Sequence, residues 1–327
     1  MTENFLRSLS VVCAAVTATF SVQAVAQEVW PSRSIRLIVP FQAGSATDAA
    51  ARVVGMKMSS QLQQTVIIDN RVGASGFIGA ETVARAPADG YTILLGTTST
   101  QAVGVALNPN LSYDPEKDFE PIGLIGPSPY VLVSASKTAA SDMQGLIAEA
   151  RAKPGKLTYA SAGTTSMANL AAQLFSTMAK VQLTHVPYKS SAQSVTDTIN
   201  GTISVQFGTV MPVLPHIKSG SLKALAVTGT KRLALLPDVP TVSEAGLPGY
   251  DAVLWMGLFA PKGTPTQALD KLSASLNSAL GDADVQKALL GQGIQATPIS
   301  RDELAKFVHA EIGKWGQVIK TAGITGE

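Results

Sequence analysis

IRLIVPFQAGSATDAAARVVGMKMSSQLQQTVII (residues 35–68) reads as strand, helix, strand. Residues 35–39 are a short apolar run of strand type, closed by Pro40. Apolar residues at helical spacing then cover 47–62, and a second strand covers 66–68. Further along, Asp69-Asn70-Arg71 makes a turn, a helix covers 76–84 and stops before Pro87, and Asp89-Gly90 turns the chain into a strand at 91–95. This alternation predicts an α/β fold built on a parallel sheet with helices on both faces.

The rhythm returns downstream. Strands are expected at 130–134, 157–160, 182–186, 203–207 and 222–227, with helices at 143–152, 166–180 and 191–199. The tail is helical at 267–280, 283–291 and 301–322. Two Pro/Gly-rich passages, 121–129 and 237–265, interrupt the pattern. Domain boundaries fall in such stretches. The expected division is a lobe of 27–127 plus 250–327, with a second lobe, 128–249, inserted into it. Two strands would cross between the lobes, and ligands favour the cleft that such a pairing leaves.

The chain has 327 residues, 46% hydrophobic and 15% charged, with a net charge of +2. Low hydrophobicity with high net charge marks disorder, and neither holds here. A near-neutral chain also lacks the basic stripe of a nucleic-acid binder, so no nucleic-acid partner is expected. Residues 1–26 read as a secretory signal peptide: Arg7, an apolar stretch over 9–22, then Ala24-Val25-Ala26 as a small-x-small cleavage site. The apolar stretch falls short of the roughly 20 residues a membrane span needs. Cys13 is the only cysteine, and cleavage would remove it. Disulfides, cysteine-ligated metals and cysteine nucleophiles would go with it.

Three strand-to-helix turns, rich in Gly, Ala, Ser and Thr, carry the candidate chemistry: residues 39–48, 95–100 and 159–166. The first turn of a helix leaves backbone N–H groups unpaired at the positive end of its dipole. Small residues let a ligand approach that backbone, and hydroxyls add donors, so the turns could hold an anion without a cationic side chain. The same residues also serve turn geometry and capping. Ser45 and Asp48 have capping-box spacing, and Asp48 could pair with Arg52 one turn on.

Catalytic motifs are missing. The sequence has no G-x-S-x-G elbow, no P-loop and no G-x-G-x-x-G. His185, His216 and His309 are far apart and read as surface or packing residues, and Gly73, Gly76 and Gly79 follow a turn, not a strand. Tyr188 could reach the cleft or pack. No catalytic residue, metal site or cofactor is expected.

The run Ile35-Arg36-Leu37-Ile38-Val39-Pro40-Phe41, with Gly44, Thr47-Asp48 and Ala51-Arg52, resembles the opening of the Bug/TctC family, the extracytoplasmic solute receptors of tripartite tricarboxylate transporters. So do Asp69-Asn70-Arg71 with Gly73 and Gly76, Asp89-Gly90-Tyr91-Thr92, Tyr113-Asp114-Pro115, Tyr159-Ala160-Ser161 with Gly163, and His185-Val186-Pro187-Tyr188-Lys189. Leu236-Pro237-Asp238-Val239-Pro240-Thr241 completes the set. The resemblance implies a type II periplasmic-binding-protein fold, two α/β lobes closing on a small organic acid. It also implies a periplasmic location, a monomer, and delivery of the acid to membrane permease subunits. Carried over by position, the binding residues are Phe41, Gln42, Ala43, Gly44, Ser45, Ala46 and Asp48; Thr97, Thr98 and Ser99; Ser161, Gly163, Thr164 and Thr165; and Phe207, Gly208 and Thr209.

Departures from the family pattern bear on the ligand. Gln42-Ala43-Gly44-Ser45 stands where the family has prolines and glycines, and Gly208 stands where Asp is common. With Asp48 the only charge in the named turns, the expected ligand is a carboxylate without an ammonium group, since a desolvated amine wants an acid partner. A periplasmic sensor, an exported enzyme on the same fold and the effector lobe of a transcription regulator are the competing readings. The signal peptide and the missing nucleophiles weigh against the last two.

Overall fold

The computed structural model describes residues 29–136, 140–188 and 190–324. The expected signal peptide, 1–26, and Lys189 lie outside the described residues. The chain begins β1 (Ile35–Val39), α1 (Ala46–Leu62), β2 (Val66–Asn70), α2 (Phe77–Ala84), β3 (Thr92–Thr97), α3 (Gly104–Leu107) and β4 (Phe119–Pro129). A second series follows: β5 (Val131–Ala135), α4 (Met143–Ala152), β6 (Thr158–Ser161), α5 (Met167–Ala179), β7 (Thr184–Pro187), α6 (Ser191–Ile199), β8 (Val205–Gly208), α7 (Val210–Lys218) and β9 (Leu222–Val227). The chain then returns through β10 (Val253–Pro261) to α8 (Thr266–Gly281), α9 (Ala283–Gly291) and α10 (Arg301–Ala322).

Two five-stranded sheets result, ordered β2-β1-β3-β10-β4 and β7-β6-β8-β5-β9. The expectation of a parallel sheet needs correction, because both sheets are mixed. β1 runs parallel to β2 and β3, and β6 to β7 and β8, as βαβ crossovers require. β10 runs antiparallel to β3 and β4, and β5 to β8 and β9. These strands arrive by passing from one sheet to the other, so no crossover helix fixes their direction.

Both Pro/Gly-rich passages contain strands that the sequence reading treats as breaks. The first is β4 itself. Its Pro121, Pro127 and Pro129 are tolerated because β4 is an edge strand, where a missing N–H breaks no ladder. The tail covers that edge: Gln295 N donates to Pro127 O at 3.2 Å and Thr297 N to Ile125 O at 3.0 Å. The second passage holds β10, almost wholly buried. Helix α7 is also unforeseen, since Pro212 and Pro215 argue against a helix. Pro212 occupies the third helical position, where the N–H has no intrahelical partner, so only Pro215 deletes a bond.

Strand β5 shows how the second sheet packs. Leu132 faces a large core shared with Phe175 and Trp255, while Val131 and Val133 face a smaller one with Val210 and Val213. The two-residue period of a strand separates the faces, and each buried aliphatic contributes about 2 kcal/mol. The large core runs from the first sheet to the α5 side of the second. Polar ties reinforce it. Tyr250 donates to Ala171 O at 2.8 Å, and the buried Glu311 carboxylate accepts both indoles, Trp255 Nε1 at 2.9 Å and Trp315 Nε1 at 3.0 Å. Lys314 links Glu311 to Asp251 in the segment leading into β10.

Candidate ligand-binding site

The three turns named from the sequence divide into two kinds. In the first, the buried Asp48 carboxylate organises the loop. Its Oδ2 accepts from Gly44 N at 2.9 Å and from Arg52 Nε at 2.9 Å, and its Oδ1 accepts from Asn70 Nδ2 at 3.0 Å. Burial works to raise the Asp48 pKa, but the bonds from Arg52, Gly44 and Asn70 outweigh it and hold the carboxyl below its ordinary value. Ser45 caps α1 by accepting from Asp48 N at 3.2 Å, and Ser45 N donates to Gln42 O at 3.2 Å. Capping and pairing therefore occupy Gly44, Ser45 and Asp48. Among the described residues, the Ala46 and Thr47 amides are the ones in the first turn of α1 that no bond takes up. Phe41 is half-buried, and Gln42 and Ala43 are exposed.

The second turn is closed as well. Thr97, Thr98 and Ser99 are buried. Thr98 Oγ1 accepts from Trp255 N at 2.9 Å and donates to Val253 O at 3.3 Å, so its hydroxyl ties the end of β3 to β10 and is engaged without any ligand. Thr97 Oγ1 is buried without a partner, as are both amide atoms of Gln101 one turn on.

The turns of the second sheet behave differently. A cavity of about 120 Å³ lies at the ends of β6 and β8, walled by the starts of α5, α6 and α7. It collects Ser161, Phe207, Gly208 and Thr209 from the expected residues, but not Gly163, Thr164 or Thr165. Thr165 instead meets Ser75 of the turn before α2, hydroxyl to hydroxyl, which joins the two halves of the molecule beside the site. Phe207 gives the cavity an apolar wall and packs edge-on to Phe175 with centroids 6.1 Å apart. Gly208 keeps β8 close to α7: a Cβ there would stand 2.5 Å from Val213 Cγ1.

Donors surround this cavity. Ser190 and Thr209 occupy the N-cap positions of α6 and α7 without making a side-chain cap bond, leaving both hydroxyls available. Ser194 is less free, since it donates to Ser191 O at 2.9 Å and accepts from Gln206 Nε2 at 2.9 Å. No Asp, Glu, Lys, Arg or His lines the cavity among the described residues.

Sequence reasoning misses Ser190, Ser191 and Tyr130. Ser190 and Ser191 belong to a fourth hydroxyl-rich strand-to-helix turn of the kind already recognised, and that signal could have found them. Tyr130 carries no such signal, because it is the single residue between β4 and β5. Tyr130 is buried, it lines the cavity, and no described residue bonds its phenol oxygen. Burial pushes that phenol far above its ordinary pKa, so it remains an O–H donor. Tyr188 lines the cavity and donates to Asp197 at 2.8 Å.

Two mixed sheets joined by crossing strands, with a cavity walled by helix starts and hydroxyls, define a two-lobed α/β binding protein. Residues 50–324 match the family described as Tripartite tricarboxylate transporter family receptor, and the chain belongs to that family. It is 35% identical to Protein BugT of Bordetella pertussis over 98% of this chain and 98% of that one. Among solved structures it is similar to R. palustris Rpa4515 with adipate, at TM-score 0.84 and 36% identity over 91% of this chain and all of the other. It is also similar to MatC (Rpa3494) of Rhodopseudomonas palustris with bound malate, at TM-score 0.80 and 32% identity over 89% of this chain and all of the other.

Proposed function

We propose that this protein is a periplasmic receptor that captures a small organic carboxylate between its lobes and hands it to membrane permease subunits. The lobes would divide as 27–127 plus 250–327 and 128–249, and the receptor would act as a monomer without catalysing a reaction. One observation carries the reading: the second-sheet cavity offers helix starts and free hydroxyls and, among the described residues, no charged side chain. A hydrogen bond to a charged group contributes about 1.5–3 kcal/mol, so a few such donors can hold a carboxylate. An ammonium group would find no carboxylate among the described lining residues, which favours an acid without an amine. The adipate and malate in two similar receptors support the ligand class.

A ligand that binds only the folded protein raises the melting temperature by mass action. Thermal-shift screening with adipate, malate, tricarboxylates, aromatic acids and amino acids tests the reading. Dicarboxylates are expected to give the largest shifts. Silence from every acid, with a clear response to sugars or cations, overturns it.

A further inference from the structure

Ser161 has two acceptors for one hydrogen. Its Oγ lies 2.6 Å from His185 Nε2, 3.0 Å from Gly163 O and 3.2 Å from Gly163 N, which donates to it. The serine is buried and lines the cavity. A carboxylate only accepts hydrogen bonds, so Ser161 can serve one only by turning its single hydrogen toward it. If His185 Nε2 presents a lone pair, that short contact takes the hydrogen. If the doubly protonated ring donates from Nε2, the serine hydrogen no longer goes to the imidazole, and a carboxylate in the cavity competes for it with Gly163 O alone.

From this geometry we propose that His185 is a positioning residue that couples acid capture to proton uptake: the doubly protonated ring gives up the Ser161 hydrogen, so that a cavity carboxylate can draw it from Gly163 O, and places a positive charge against the serine oxygen. The inference rests on the carboxylate reading of the site. His185 is held in place by stacking on Tyr159, with ring centroids 5.1 Å apart and planes inclined at 25°. The surrounding groups are silent near neutral pH. Tyr159 on β6 has its phenol pushed up to about 12 by burial, and it donates to Asn169 Oδ1. On the turn after β7, Tyr188 is likewise raised to about 12 by desolvation and by Asp197 on α6, which accepts its phenol. No Asp, Glu, Lys or Arg among the described residues bonds the imidazole. Burial holds His185 below its ordinary value, so the ligand-free ring is largely neutral at pH 7 and has a proton to gain.

The coupling has a fixed sign. A bound carboxylate raises the proton affinity of His185, and by reciprocity a proton on His185 raises affinity for the acid. Affinity therefore rises as pH falls, by at most about tenfold per pH unit for one linked proton. Calorimetry with adipate and malate, in two buffers of different ionisation heat, measures both affinity and proton uptake between about pH 8.5 and about pH 6.5, where both acids stay ionised. Binding is expected to tighten several-fold across that window with fractional proton uptake. His185→Gln keeps an N–H donor but cannot titrate, and should bind with a flat pH profile; His185→Phe keeps the stack on Tyr159 and should bind weakly and flatly. A flat wild-type profile, or an unchanged slope in His185→Gln, overturns the proposal while leaving the receptor reading intact. If no acid in the panel binds, both fall. Should the variants fail to fold, imidazole NMR of the wild type decides: the His185 pKa must rise on saturation with ligand, and an unmoved value overturns the coupling.

Discussion

The turn after β1 and the turns after β6 and β8 are similar in composition, yet their donors are committed differently. In the first, a buried aspartate collects a backbone amide, a guanidinium and an asparagine side chain. In the second group the hydroxyls of Ser190 and Thr209 cap nothing, and no described residue bonds the Tyr130 phenol. Hydroxyl-rich turns are therefore not equivalent as anion sites. A carboxylate inside the turn takes the donors for itself, and its absence leaves them for a guest.

The contrast predicts that substitutions near β1 act on stability and those near β6 and β8 act on affinity. The largest effect is expected for Asp48→Ala, which strands three donors and should cost about 2–4 kcal/mol of folding free energy. Its acid sensitivity follows from the lowered pKa. The stabilisation is fully present above the unfolded value near 3.8 and is lost as pH falls through the folded value, so Asp48→Asn should flatten the acid limb of the denaturation profile. Thr98→Val comes next, at about 1–2 kcal/mol, because Trp255 N loses its acceptor. Chemical denaturation checks the cost, and a large loss of affinity at unchanged stability would break the contrast. Tyr130→Phe should reverse the pattern, lowering affinity about tenfold for a lost ligand bond with the melting temperature nearly unmoved. The smallest effect is expected for Gln42→Ala on an exposed position, within about 0.5 kcal/mol in stability. An affinity loss there would show that the first lobe reaches the ligand directly.

The sequence makes the βα units legible because periodicity and turns agree along them: α4, α6, α9 and β9 have the bounds expected of them. It hides β4 and the start of α7, where prolines sit at positions that tertiary context makes harmless, and β10, which lies inside a passage rich in Pro and Gly. An edge strand tolerates a missing donor, and so does the first turn of a helix. The site is legible where a strand ends in small hydroxyl residues, as at Ser161. It is illegible where only the crossing of the chain supplies the residue, as at Tyr130. Asp48 lies between these cases: its spacing to Ser45 and Arg52 is visible, but burial settles whether it caps or faces a ligand.

The hydroxyl pair of Ser75 and Thr165 stands where the two halves approach beside the cavity. A single neutral bond of this sort contributes only about 1 kcal/mol. A contact that weak adds little to the core that already joins the halves, so by itself it would not hold the mouth shut without a guest. Retention would then fall to whatever the guest itself bridges, and the lifetime of the loaded state would report the acid rather than the door.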